Sequence, residues 1–160
     1  MLDGPSVVAA LKECRVTHVV WVPDSEIGTW EGAILAEPSL TLVRVCREGE
    51  AIAVAAGLHL GGKRPLVVMQ CTGFFEAGDA FRNVVHDLKL PLLFLVGVRG
   101  YEAHQRGATN DTCPVFAQPL VGAWNVPHVL RRRDDDPACL VSAYRQTQTG
   151  NTAVVLLLGE

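Results

Sequence analysis

Two carboxylates stand close together in Cys46-Arg47-Glu48-Gly49-Glu50, directly after an apolar run. A carboxyl group can hold or move a proton, so its placement is worth following. By spacing alone, Glu48 and Glu50 read as solvated residues that favour a helix start, where the dipole welcomes negative charge. The next residues, Ala51-Ile52-Ala53-Val54-Ala55-Ala56-Gly57, form a helix of mostly small side chains. Such a face packs closely, either within one domain or against another subunit. A second group lies in Gln70-Cys71-Thr72-Gly73-Phe74-Phe75. Thr72-Gly73 predicts a tight turn where backbone can approach a flat ligand. Phe74 and Phe75 either wall that ligand or enter the core.

Other motifs lead away from common chemistries. Gly57-Leu58-His59-Leu60-Gly61-Gly62-Lys63-Arg64 matches most of a phosphate-binding P-loop. Arg64 stands where a Ser or Thr hydroxyl should meet Mg²⁺, and the stretch leaves a helix instead of opening one. Gly61-Gly62 reads better as a helix stop. No G-x-G-x-x-G follows a strand, which removes support for a dinucleotide site. The five cysteines, Cys14, Cys46, Cys71, Cys113 and Cys139, are widely spaced with no C-x-x-C pair. That pattern is neither a disulfide framework nor a zinc site, and no metal site is expected on this chain.

The elements that must position these groups alternate. Apolar, β-branched runs predict strands at His18–Val22, Leu40–Val45, Leu66–Gln70, Leu92–Val98, Val126–Leu130 and Ala153–Leu158. They are apolar on both faces, as parallel strands covered by helices are. Helical stripes lie between them: Val7, Leu11 and Cys14 after Asp3-Gly4-Pro5; Ile27, Trp30, Ile34 and Leu35; Phe81, Val84, Val85 and Leu88; and Leu140, Tyr144 and Thr147 after Asp136-Pro137. The fold class is therefore α/β, a doubly wound, mainly parallel six-stranded sheet with helices on both faces. Ligands of such sheets sit beyond the carboxyl ends of the strands. The stretch Arg99–Pro114 predicts a long functional loop.

Length and charge narrow the rest. The chain has 160 residues, which suits a single domain, 1–160. Its net charge of −3 points to neither nucleic acid nor an anionic membrane as a partner. Arg131-Arg132-Arg133 is offset at once by Asp134-Asp135-Asp136, a solvated turn before a helix. No signal peptide is visible, and the apolar runs fall short of the ~20 residues of a membrane span. A cytoplasmic protein is expected.

Taken together, these residues resemble the pyrimidine-binding domain of thiamine diphosphate enzymes. In that family a glutamate ends the second strand, here Glu48, and a small-residue helix reaches a glycine nine positions on, here Gly57. A Ser/Thr-Gly pair follows the third strand, here Thr72-Gly73, and Gly62-Lys63-Arg64-Pro65 fits the linker before it. The likeness is greatest to the alpha subunits of sulfopyruvate and phosphonopyruvate decarboxylases, through Val22-Pro23-Asp24-Ser25 and Arg47–Glu50, and it weakens after about Gly97.

The resemblance implies a thiamine diphosphate-binding fold and a role for each matching residue. Glu48 would hydrogen-bond the cofactor's pyrimidine nitrogen and favour the imino tautomer, which removes the thiazolium C2 proton. The activated cofactor would then attack a 2-oxo acid and release CO₂. Thr72, Gly73, Phe74, Pro23 and Asp24 would contact the cofactor. Glu50, pointing elsewhere on the helix, is secondary. An anionic 2-oxo acid needs a positive or donor-rich pocket, for which Ser25, Arg99, His104, Arg106 and Asn110 are candidates; the alternative for the loop residues is simple solvation. The Gly-Asp-Gly motif and Asn that hold diphosphate through Mg²⁺ are missing; Gly78-Asp79-Ala80 is only an echo. The resemblance therefore implies a separate beta subunit that binds diphosphate and Mg²⁺, in an alpha2beta2 or larger assembly. A carboligase subunit, or a non-catalytic regulatory protein on the same scaffold, remains an alternative.

Overall fold

A computed structural model of the chain describes residues 2–24, 27–132 and 134–160. The first helix, α1 (Gly4–Glu13), begins where the Asp3 carboxylate accepts a hydrogen bond from Ser6 N at 2.8 Å. Pro5 lies in its first turn, where no N–H is needed. Val7 and Leu11 are buried on one face, and Cys14 closes that face. Strand β1 (His18–Trp21) follows, then a short 3-10 turn (Ile27–Trp30) and α2 (Glu31–Ala36). Ile27, Trp30 and Ile34 are buried as expected, but Leu35 is 57% exposed. The chain continues through β2 (Thr41–Arg44), α3 (Glu48–Leu60) and β3 (Pro65–Gln70). After β3 come α4 (Cys71–Glu76), α5 (Gly78–Arg82), a π-helical stretch (Asn83–Asp87) and β4 (Leu93–Val98). The last elements are α6 (Tyr101–Gln105), α7 (Cys113–Ala123), β5 (His128–Arg132), α8 (Ala138–Gly150) and β6 (Val154–Gly159).

All six strands form one parallel sheet in the order β2-β1-β3-β4-β6-β5. Alternate side chains serve two cores. Val20, Val67, Met69, Phe94, Val96, Val155 and Leu157 face α3, α4, α5 and α7. Val19, Trp21, Leu66, Val68, Leu95 and Leu156 face α1, α2 and α8. The chain leaves β1 toward β2, then returns over β1 through α3 to place β3 on its other side. Connections that diverge from neighbouring strands leave a crevice at their carboxyl ends.

The expected fold holds, with local corrections. The edge strands β2 and β5 are only half covered, because an outermost strand has a neighbour on one side alone. The segment 99–114 is not an open loop: it carries α6 and the start of α7. Helix α7 was not expected from the sequence; Pro114 opens it and Pro119 lies inside it. Thr72-Gly73 is not a tight turn but the first turn of α4. The Gly61-Gly62 stop is present, with Gly62 at φ 78° as α3 ends. Asp136 does start α8, its carboxylate accepting from Ala138 N at 2.9 Å, while Arg133 lies outside the described residues.

Candidate active site at the carboxyl ends of the strands

Glu48 is the first residue of α3, separated from the end of β2 by Val45, Cys46 and an extended Arg47. Two contacts hold its segment. The Glu50 carboxylate accepts a hydrogen bond from Cys46 N at 3.0 Å, so Glu50 closes the helix start around Glu48. The Arg47 guanidinium forms an ion pair with Glu76 at the end of α4. This clamp ties the β2–α3 junction to the helix that follows β3.

The decisive contact is between Glu48 and Gly73. A Cβ built on Gly73 would overlap the Glu48 carboxyl group and Cγ. Gly73 itself is buried and its φ is not positive. Glycine here leaves room for the Glu48 side chain as it lies, and a Cβ would push that side chain aside; no unusual backbone angle is involved. The acid lies across the first turn of α4, half-buried, at the mouth of the crevice.

Beside this contact lies an open cleft of about 780 Å³, lined by Thr72, Phe75, Arg99, Asp111, Cys113 and Phe116 among others. Thr72 is exposed and Phe75 half-buried, while Phe116 is 57% exposed. Phe74 lies beneath the surface, with its ring edge-on to Phe81 at 4.9 Å between centroids. The aromatic side chain that this turn offers to the cleft is therefore Phe75. Arg99 bonds through Nε to Asp111 at 2.9 Å, and the neighbouring carboxylate holds its guanidinium more firmly charged than usual. Asp111 also accepts from Cys113 N, and that bond first, with Arg99 second, holds its carboxyl below the usual range. Burial, with Cys113 alongside, pushes the Cys71 thiol up to about 12, so it stays protonated under the cleft.

The remaining expected residues are dispersed. Pro23 is exposed after β1. Asp24 accepts from Trp21 Nε1 at 3.2 Å and from Ile27 N at 2.8 Å, so it organises the turn that follows β1. Ser25 lies outside the described residues. His104 is half-buried in a separate cavity of about 150 Å³ with Tyr101 and Leu130, while Arg106 and Asn110 are exposed. Of the expected substrate residues that are described, Arg99 alone lines the cleft beside Thr72. Asp111, Phe116 and the Arg47–Glu76 clamp were not anticipated. Among the described residues, no group of three His, Cys, Asp or Glu could hold a metal ion.

Comparison with known proteins meets this geometry. Residues 4–118 match the family described as "Thiamine pyrophosphate enzyme, N-terminal TPP binding domain". The chain belongs to this family. It is 28% identical to sulfopyruvate decarboxylase subunit alpha of Methanococcus maripaludis over 141 residues, 88% of this chain and 84% of that protein. It is 30% identical over 100 residues to the phosphonopyruvate decarboxylase of Streptomyces viridochromogenes, 62% of this chain and 25% of that protein. The same identity over 100 residues relates it to sulfopyruvate decarboxylase subunit alpha of Methanothermobacter thermautotrophicus, again 62% of this chain and 61% of that one. The chain thus spans a quarter of one of these relatives and about three fifths of another. The fold matches the crystal structure of benzoylformate decarboxylase from Polynucleobacter necessarius, with a TM-score of 0.79 at 22% identity, covering 99% of this chain and 30% of that one. No helix among the described residues is long and apolar enough to cross a membrane.

Proposed function

We propose that this chain supplies the aminopyrimidine side of a thiamine diphosphate-dependent 2-oxo acid decarboxylase, as an alpha subunit. The observation that carries this reading is the Glu48 carboxyl seated directly over Gly73, where a Cβ would displace it. An acid fixed at the crevice of a family member built to bind this cofactor is well placed to hold a proton at a ring nitrogen. The residues present fit that half of the cofactor: a held carboxyl, an exposed Thr72 hydroxyl and a half-buried Phe75 beside it. When bound, the cofactor supplies the electron sink that decarboxylation needs.

The chain's own residues then have distinct tasks. Glu48 shares a proton with the pyrimidine ring. Glu50 and the Arg47–Glu76 pair hold Glu48 in place, since a misplacement of ~1 Å can cost on the order of 10²-fold in rate. Phe75 and Phe116 exclude water from the cleft. Arg99, hydrogen-bonded to Asp111, is the one cation among the described residues that line the cleft, and it would meet an anionic substrate there. The diphosphate and its Mg²⁺ belong on a partner beta subunit, in an alpha2beta2 or larger complex.

Co-purification with a diphosphate-binding partner, followed by screening of 2-oxo acids for CO₂ release, tests this reading. Turnover is expected only with both chains, the cofactor and Mg²⁺ present. Decarboxylation by the isolated chain would overturn the division of the site between subunits. Product that forms only with an added aldehyde acceptor would make the complex a carboligase.

A further inference from the structure

A second cavity opens at the other end of the sheet, where the strands begin. It has a volume of about 210 Å³ and is lined by Glu13, Arg15, Arg64, Tyr144, Arg145 and Gln148 among others. Its cations come from three distant segments: Arg15 follows α1, Arg64 directly precedes β3 and Arg145 is on α8. Three guanidinium groups face one carboxylate, in a chain whose net charge is −3.

Arg64 is the fixed member. It donates to the Cys14 carbonyl through Nε at 3.3 Å and Nη2 at 3.1 Å. Its guanidinium carbon stands 5.2 Å from the centroid of the Tyr144 ring, within reach of a cation–π contact. The Tyr144 phenol oxygen is a further partner for this guanidinium, whose five N–H groups exceed these contacts. Arg145 meets Glu13 only loosely, at 3.8 Å with both side chains mostly exposed. Such a pair adds little by itself and yields readily to a better acceptor. Burial pushes the Cys14 thiol up to about 11 and raises the Tyr144 phenol, so neither adds negative charge at neutral pH. Among the described residues, Glu13 is the one carboxylate lining the cavity.

We infer that this cavity binds a small phosphate-type oxyanion, with Arg64 as its base and Arg15 and Arg145 closing from the rim. Planar guanidinium groups suit tetrahedral oxyanions, because each can offer two parallel N–H donors. The volume lies below the ~300–1,000 Å³ of pockets for drug-sized ligands, so the ligand is an inorganic phosphate or a short phosphate ester. The site is separate from the Glu48 cleft: it lies where the strands start, and its occupancy can be read without any turnover.

The test is titration of the full chain with sodium phosphate at constant ionic strength, followed by backbone amide NMR. Saturable shifts confined to residues 13–15, 64 and 141–148 are expected. Arg15→Gln and Arg145→Gln should each weaken half-saturation by about fivefold or more, since each removes a charge-assisted donor. Glu13→Gln should tighten it by about twofold, by removing the competing carboxylate. A parallel titration with glycerol 1-phosphate separates the two sources: tighter binding of the ester names an ester, and tighter binding of phosphate names the free ion. Shifts that do not saturate, or a midpoint that is the same in all four proteins, would overturn the site. Retained activity or inactivity of the enzyme complex has no bearing on this outcome.

Discussion

Two neighbouring regions at the carboxyl ends of the strands are built differently: the seat of Glu48 and the cleft beside it. Around the β2–α3 junction, contacts between neighbouring segments surround the acid: Glu48 lies against Gly73, Glu50 closes on Cys46 N, and Arg47 forms an exposed pair with Glu76. On the side of β4 and α7, the surface is an exposed Arg99–Asp111 pair and a row of part-exposed apolar side chains. The first region suits a task that repeats unchanged, such as holding one carboxyl at one ring atom. The second suits a task that varies, because part-exposed apolar walls can be exchanged without disturbing the core. Chemistry shared with the relatives would then sit on the β2–β3 side, and choice of substrate on the β4–α7 side.

The comparison can be broken most directly at Glu48. In the assembled enzyme, Glu48→Gln is expected to lower cofactor-dependent CO₂ release by about 10²–10⁴-fold with the complex intact. Near-normal turnover would remove Glu48 from the chemistry. Gly73→Ala comes next. Its Cβ would displace the carboxyl, and a loss on the order of 10²-fold is expected from misplacement alone. Far-UV circular dichroism and Tm should hold, because alanine favours a helix over glycine by about 1 kcal/mol. A fully active Gly73→Ala enzyme would show that the close contact is unimportant.

Phe74→Ala separates core from cofactor wall. Phe74 is 1% exposed, so a stability loss of about 3–5 kcal/mol is expected in chemical denaturation. An unchanged midpoint with weakened cofactor binding would return Phe74 to the wall. The smallest effect is expected at Asp111→Ala, about 1 kcal/mol, from a lost cap on α7. Its carboxyl is held below the usual range, so this stabilisation is present above ordinary carboxylate values and disappears as pH falls through the lowered one. Stability curves of the variant and parent should therefore converge in acid. A difference that persists at low pH would assign the effect to packing instead.

The strands were legible in the sequence because short β-branched runs bounded by helix signals have few other readings. The place of Glu48 at the start of α3 was legible from its spacing, while its role as the cofactor acid came with the family resemblance and is a proposal. Gly73 was only half legible. A glycine after a strand can serve either backbone freedom or close approach, and a sequence does not say which neighbour would be struck by a side chain. Phe74 and Phe75 posed a similar difficulty, because consecutive residues on a helix point in different directions and the helix itself was read as a turn. Helix α7 was obscured by Pro114 and Pro119, which interrupt a periodic pattern although the first is well placed at a helix start. The Arg47–Glu76 pair joins residues 29 apart and has no local signature at all.

One path through the chain connects these observations. From Glu48 the backbone runs along α3, turns at Gly61–Arg64 and comes back along β3 to Gly73. Acid and glycine are thus the two tips of one tongs-like unit, pivoted beside Arg64. Their alignment is a matter of counting residues around that pivot. One residue added between α3 and β3 and passed into the strand would slide the returning arm by about 3.3 Å and reverse its faces. The length of a plain connection, far from any reacting atom, is therefore part of what sets the acid in its seat.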